Sequence, residues 1–192
     1  MSVAIKSLRE VATIKSGQTF RAAIKEIAGG NAHVIQMRDV SLERGIDFPA
    51  LITTAIDKPD WLAPNDILFT PKGNNNIAIQ MGEEANQIDV VATNHFMVMR
   101  VNDEALLPEF LTWWINQQPA QTYFDRQSEG STIRNIRRGI LELVPVPLPS
   151  LERQKTIVQF AETMGRKHKL FAELIENDRT VERFIATSLY KQ

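Results

Sequence analysis

The stretch Val144-Pro145-Val146-Pro147-Leu148-Pro149-Ser150 divides the chain into two kinds of sequence. Each proline fixes its own φ and pushes the preceding residue out of the helical region, so alternating prolines impose an extended, semi-rigid path. Upstream, short alternating apolar runs are punctuated by Gly, Pro and Asn, the pattern of short strands and small helices. Downstream of Ser150 there is no further proline and the apolar period turns helical. The pattern predicts an α+β chain: a mostly-sheet domain with short helices over residues 1–147, then a long helix of coiled-coil type over residues 148–192.

Within the upstream part, His33 to Val40 alternates well enough for a half-buried strand. Asp66–Thr70 and Asn76–Gln80 flank Pro71-Lys72-Gly73-Asn74-Asn75, a hairpin with a loop of turn formers. Val90–Ala92 and His95–Val101 add strand material. Pro108 opens a helix through Asn116, and Pro119 ends it or begins another. A short helix is expected from Ile133 to Arg138, with Thr132 as N-cap and Gly139 as its stop.

Ser150 can cap the downstream helix, and Glu152 sits favourably near the positive end of its dipole. With Ile157 at heptad position a, the apolar seam is Ile157, Phe160, Met164, Phe171, Leu174, Val181 and Ile185, interrupted by Lys167, Asp178 and Ser188. Such a helix extends roughly 60 Å at about 1.5 Å per residue, too long to lie wholly on a domain of this size. An amphipathic helix packed on its own domain is the alternative. Lys167 and Asp178 are costly on a buried seam unless paired, and they can meet in an antiparallel dimer.

Composition narrows the function. At 192 residues the chain holds one domain plus an appendage, and 43% hydrophobic with 23% charged residues is ordinary for a globular protein. Cysteine is absent, which excludes a disulfide scaffold, cysteine-ligated metals and thiol catalysis. The charged opening, Met-Ser-Val-Ala-Ile-Lys-Ser-Leu-Arg-Glu, does not suit a signal peptide, and no apolar run approaches bilayer length, so a cytoplasmic protein without membrane contact is expected. The net charge of −1 argues against a purely charge-driven nucleic-acid binder but leaves a specific one open.

Signs of catalysis are missing. Asn65-Asp66-Ile67-Leu68-Phe69 lacks the Asn-Pro-Pro-aromatic cluster of an adenine methyltransferase, and Phe69-Thr70-Pro71-Lys72-Gly73 is no phosphate-binding loop. His33, His95 and His168 are not spaced as metal ligands on one helix, and neither a nucleophile elbow nor a nuclease-like Asp with Glu-x-Lys occurs. The expectation is a chain with no catalytic residue, no metal and no cofactor of its own.

Several stretches resemble the specificity subunits of type I restriction-modification systems. These are Gly130-Ser131-Thr132 before an Arg-bearing helix, Leu141 to Pro149, and the helix start Leu151-Glu152-Arg153-Gln154-Lys155-Thr156-Ile157, similar to the family's glycine-serine step, apolar-Pro-Leu-Pro strand and Gln-x-x-Ile. Leu62 to Phe69 is similar to its Leu-x-x-Gly-Asp-Ile-Leu segment, with Asn65 in place of Gly; both residues tolerate left-handed backbone. Leu8-Arg9-Glu10-Val11-Ala12 with Ser16-Gly17 matches the family's opening. The resemblance implies a recognition domain for double-stranded DNA and a spacer helix, in single-repeat form, pairing as an antiparallel homodimer. It also implies a partner DNA methyltransferase subunit and a restriction-translocase subunit, to which S-adenosylmethionine and ATP would belong. Two-fold symmetry then implies a palindromic site split by an unread gap.

Candidate DNA contacts follow from residue chemistry. Arg134, Arg137 and Arg138 would line one side of the short helix, opposite Ile133, Ile136 and Ile140. Arg126 precedes them, and a helix N-terminus at Ser131 and Thr132 could hold a phosphate. Lys72, Asn74 and Asn75 sit at a hairpin tip, where a cation stands beside amides able to read adenine. Arg21, in Ser16 to Arg21, is a further cation on a loop, and Asn94 with His95 forms either a contact or a structural pair. Each group suits a solvated face or an ordinary turn as well. A coiled-coil adaptor or decoy that binds restriction-modification subunits without reading DNA is the rival reading. It is kept open by 14 Lys and Arg against 17 Asp and Glu in residues 1–147. A third, an undetected nuclease, would require metal-dependent cleavage.

Overall fold

A computed structural model describes residues 3–73, 76–128 and 135–190, and the chain divides into two units, residues 1–154 and 155–192. The first unit begins with β1 (Ala4–Ser7), α1 (Leu8–Val11), β2 (Ala12–Ser16) and β3 (Ala32–Ile35). It continues with the short strands β4 (Val40–Ser41), β5 (Gly45–Ile46) and β6 (Ile52–Thr54), then β7 (Ile67–Phe69), β8 (Ala78–Gln80), β9 (Val90–Ala92) and β10 (Met97–Val101). Helices α2 (Pro108–Ile115), α3 (Gln118–Gln127) and α4 (Arg138–Glu142) precede β11 (Pro145–Leu148), and α5 (Leu151–Tyr190) closes the chain. The α+β class with a long final helix is therefore what the sequence pattern indicates.

Two sheets build the core. The larger is antiparallel in the order β2-β10-β7-β8; the smaller is β6-β3-β9, in which β3 and β9 run parallel. Because successive side chains on a strand alternate faces, β7 divides its payload. Leu68 joins Ile35, Val90, Phe96 and Val98 in the core cluster, while Phe69 packs its ring 5.3 Å from Phe124 of α3. All three residues of β7 are buried, which is why this strand reads as a continuous apolar run.

The alternating prolines form β11, paired antiparallel with β1 from Ala4↔Leu148 to Ser7↔Pro145. Proline lacks an N–H, so it fits a strand with a free edge, and this two-stranded sheet supplies one. After it, Gln154 is fully buried: its Oε1 accepts the Leu107 N–H at 2.9 Å and its Nε2 donates to Ala105 O at 2.7 Å. That amide ties the first turn of α5 to the segment before α2.

The sequence reading needs correction at two strands and one helix. The strand expected from His33 to Val40 stops at Ile35, because Met37–Asp39 turns as a 3-10 helix closed by Asp39, whose carboxylate accepts the Gln36 N–H. The strand expected from His95 begins at Met97, since Thr93 to Phe96 forms a turn held by the Phe96 N–H on Thr93 O. Of the helix expected from Ile133 to Arg138, Ile133 and Arg134 lie outside the described residues, residues 135–137 are not helical, and a helix runs over Arg138–Glu142 with Gly139 inside it. Ile136, fully buried, donates its N–H to Pro71 O at 2.8 Å, and Asn135 forms an antiparallel bridge with Lys72. This pairing holds residues 135 and 136 extended and delays the helix.

In the second unit α5 continues without a break to Tyr190, and Phe160, Phe171, Leu174, Val181 and Ile185 are exposed. Ile157 and Met164 of the same seam are half-buried. Lys167 lays its ammonium 5.6 Å from the centre of the Phe171 ring, a cation–π contact that covers part of the stripe.

Candidate nucleic-acid interface

One row of the large sheet organises the site. Met97 lies opposite Ser16 on one side and Phe69 on the other, and Phe69 lies opposite Ala78. The chain therefore leaves β2 and β7, and enters β8 and β10, at a single end of the sheet. The three connections that meet there, after Ser16, between Phe69 and Ala78, and before Met97, carry most of the polar loop residues singled out from the sequence.

The first and third of these connections are stitched together. Gly17 donates to Phe96 O at 3.1 Å, Gln18 to Ala92 O at 2.7 Å, and Asn94 returns its N–H to Gln18 O at 2.9 Å. Gly17 is required here because a Cβ would stand 2.3 Å from Thr93 O. The Gln18 side chain accepts the Asp60 N–H at 2.8 Å, fixing the loop further. Arg21 and Lys25 beyond it are exposed, as are Asn94 and His95 in the turn. Among the described residues no side-chain hydrogen bond joins Asn94 to His95, so they are not a structural pair.

The second connection holds Lys72, which is exposed and bridged through its backbone to Asn135. That bridge brings the Arg137–Arg138 segment beside the hairpin end. Arg137 is the extended N-cap of α4 and Arg138 its first residue, so the two do not share a helical stripe. Arg138 is engaged with Glu142 at 2.7 Å across one turn, whereas Arg137 is exposed. Arg126 is exposed in the last turn of α3. Asn74, Asn75, Ser131, Thr132 and Arg134 lie outside the described residues.

Beside Lys72 opens a cleft of about 720 Å³ that the sequence reading missed. Its walls are the turn of the β4–β5 hairpin, with Leu42 and Glu43, and the β7–β8 connection, with Thr70, Lys72 and Asn76. Arg44 lies exposed in the turn of that hairpin, and Arg38 precedes it, 3.5 Å from Asp39. The available signal was Gly45 after Arg44: it takes a positive φ of 70°, the conformation that closes a tight turn.

The opposite end of the same sheet is structural. Asp66, fully buried, accepts two hydrogen bonds from Arg100 at 2.6 and 2.7 Å and one from the Ala63 N–H at 2.9 Å. The Asp66 hydrogen bond holds the Arg100 guanidinium above its ordinary pKa. Asn65 precedes it with φ 69°, the left-handed position for which Asn substitutes well for Gly. Lys6 lies 2.7 Å from Asp103; this hydrogen bond, joined by that of the Ala105 N–H, lowers the Asp103 carboxyl, and the Asp103 hydrogen bond and charge raise the Lys6 amine. Trp113 and Trp114 are both half-buried; Trp113 stacks near Phe110 and Trp114 donates to Pro145 O at 2.8 Å, so neither is a pure core residue.

A folded platform presenting cations and amides on clustered loops is the arrangement with which proteins contact duplex DNA, phosphates for position and base edges for sequence. The chain belongs to the type I restriction modification DNA specificity domain family, whose model matches residues 2–177. Its fold is similar to that of the HsdS subunit from Thermoanaerobacter tengcongensis, with a TM-score of 0.63 and 18% identity over 86% of this chain and 38% of that one. The type I restriction-modification S subunit from M. genitalium gives a TM-score of 0.58 and 15% identity over 93% of this chain and 43% of that one. A third match, from a structure describing complex assembly and conformational transition of the type I R-M system, gives 0.64 and 19% over 95% and 43%. The chain thus spans about two fifths of the length of these solved proteins. Among the described residues no helix is long and apolar enough to cross a membrane.

Proposed function

We propose that this chain is a DNA-recognition subunit of a type I restriction-modification system, reading one half-site and directing a partner methyltransferase to it. The single observation that supports this reading is the convergence of the three loop connections on one end of the β2-β10-β7-β8 sheet. In this reading the chain catalyses nothing. Arg21, Arg126 and Arg137 take phosphates, and Lys72 stands at the groove. Ser131, Thr132, Arg134, Asn74 and Asn75 extend the same set, and Arg138 does so once released from Glu142. The functional division is that of residues 1–147 for recognition and 148–192 for assembly.

The seam of α5 suits a second copy running antiparallel. About a dyad between Ala172 and Glu173, Phe171 meets Leu174, Met164 meets Val181, Phe160 meets Ile185, and Lys167 meets Asp178. Every apolar member from Phe160 to Ile185 finds an apolar mate, and the two charges find each other. The methyltransferase and a restriction-translocase subunit would assemble on this dimer in the cytoplasm.

The test is selection of bound duplexes from a randomised pool at moderate salt. Enrichment of a defined half-site, with affinity falling steeply as salt rises, is expected. Salt-dependent binding without enrichment, or no binding even beside the methyltransferase, would favour an adaptor instead. That alternative draws on the engagement of Arg138 by Glu142 and the proximity of Asp39 to Arg38.

A further inference from the structure

We infer that Glu43 and Lys72 are a specificity-determining pair that reads a C·G base pair at the cleft beside the β4–β5 hairpin; this rests on the DNA-recognition reading above. The hairpin belongs to neither large sheet, since β4 and β5 pair only with each other. Val40, Ile46 and Phe48 nevertheless pack against the core cluster, so its turn is held in place while Leu42, Glu43 and Arg44 remain exposed. A two-residue-per-strand hairpin adds little to stability by itself, which leaves its position over the loop end of the sheet as its distinguishing property.

Glu43 and Lys72 line the same cleft from different turns, and among the described residues neither side chain has an ion-pair or hydrogen-bond partner. Both charges are therefore available to a ligand. A carboxylate on a surface that meets a polyanion is repelled by every nearby phosphate. It offsets that cost only by accepting a hydrogen bond, and among base edges the cytosine N4 amino group is the donor carboxylates take. Lysine is the complementary case, donating to guanine O6 and N7. The cleft thus carries one acceptor and one donor, the pattern that a C·G edge satisfies. Arg44 at the tip is placed to take a flanking phosphate.

The experiment is the randomised-duplex selection repeated with Glu43→Gln, Glu43→Ala and Lys72→Met, circular dichroism and melting confirming that each variant folds. Wild type is expected to select C·G at one position, and the Glu43 variants to lose about 5- to 100-fold discrimination there with the other positions unchanged. Lys72→Met should relax the same base pair. Glu43 variants that bind every sequence more tightly while keeping the wild-type preference would overturn the pair, because the carboxylate would then only repel phosphate. A wild-type protein with no preference would overturn the recognition reading itself, a separate result.

Discussion

Removing the Asp66 carboxylate tests whether the Leu62–Phe69 segment is a structural clamp at the end of the sheet away from the loops. In Asp66→Ala, Arg100 loses a two-pronged partner at 2.6 and 2.7 Å and the Ala63 N–H loses its acceptor at 2.9 Å. Hydrogen bonds to a charged group contribute about 1.5–3 kcal/mol and an orphaned buried donor costs about 1–3 kcal/mol. The Arg100 side chain is 53% exposed and regains water, so its share is discounted toward the lower end. Together the loss should come to about 3 kcal/mol. In urea, with a slope of about 2 kcal/mol/M for a domain of this size, the midpoint should fall by about 1.5 M with the slope unchanged. Arg100→Ala should cost much less in the Asp66→Ala background than in wild type. At low urea the folded variant should keep its DNA preference, since Asp66 is remote from the loop row. A midpoint shift below about 0.5 M, or a changed base preference in folded protein, would refute this account of the segment.

Three further outcomes are expected. Gly17→Ala places a Cβ 2.3 Å from Thr93 O and should destabilise by about 1–3 kcal/mol in thermal melts, loosening the Ser16–Gln18 stitch; a neutral result would show that the strand ends can separate freely. Asp103 has a folded-state pKa below its ordinary value, so its contribution is present above about pH 4 and disappears as pH falls through the depressed value. Asp103→Asn should therefore flatten the acid limb of stability in urea titrations across pH, and an unchanged limb would rule out this pair as its source. If α5 pairs as proposed, the chain should sediment as a dimer and Phe171→Asp with Leu174→Asp as a monomer, each lost apolar burial removing about 1.5–3 kcal/mol per chain; a monomeric wild type or a dimeric variant would contradict the proposed seam.

What could be read from the sequence was whatever a local period or a single punctuating residue specifies. The helix from Leu151 follows from the absence of proline and the seam spacing, α2 from Pro108 at its first turn, and β7 with β8 from their apolar runs around Pro71 to Asn75. What escaped depends on long-range pairing. Nothing near Asn135 announces that it bridges Lys72, so residues 135–137 looked helical although the Ile136 N–H is claimed by Pro71 and the helix starts only at Arg138. The β4–β5 hairpin escaped because two-residue strands carry no period, and with it went Glu43 and the cleft. Likewise Gln154 reads as one polar residue among many on a helix, and only the fold shows it buried against Ala105 and Leu107.

The most direct measurement is to co-express the chain with the methyltransferase subunit proposed as its partner and map every methylated adenine in the host DNA. Methylation is expected to be confined to one palindromic sequence, two short half-sites around a gap of fixed length, and to be lost when the proposed pairing of α5 is blocked. Methylation scattered without a common sequence, or a pattern unchanged when Glu43, Lys72 and Arg137 are all replaced, would contradict it.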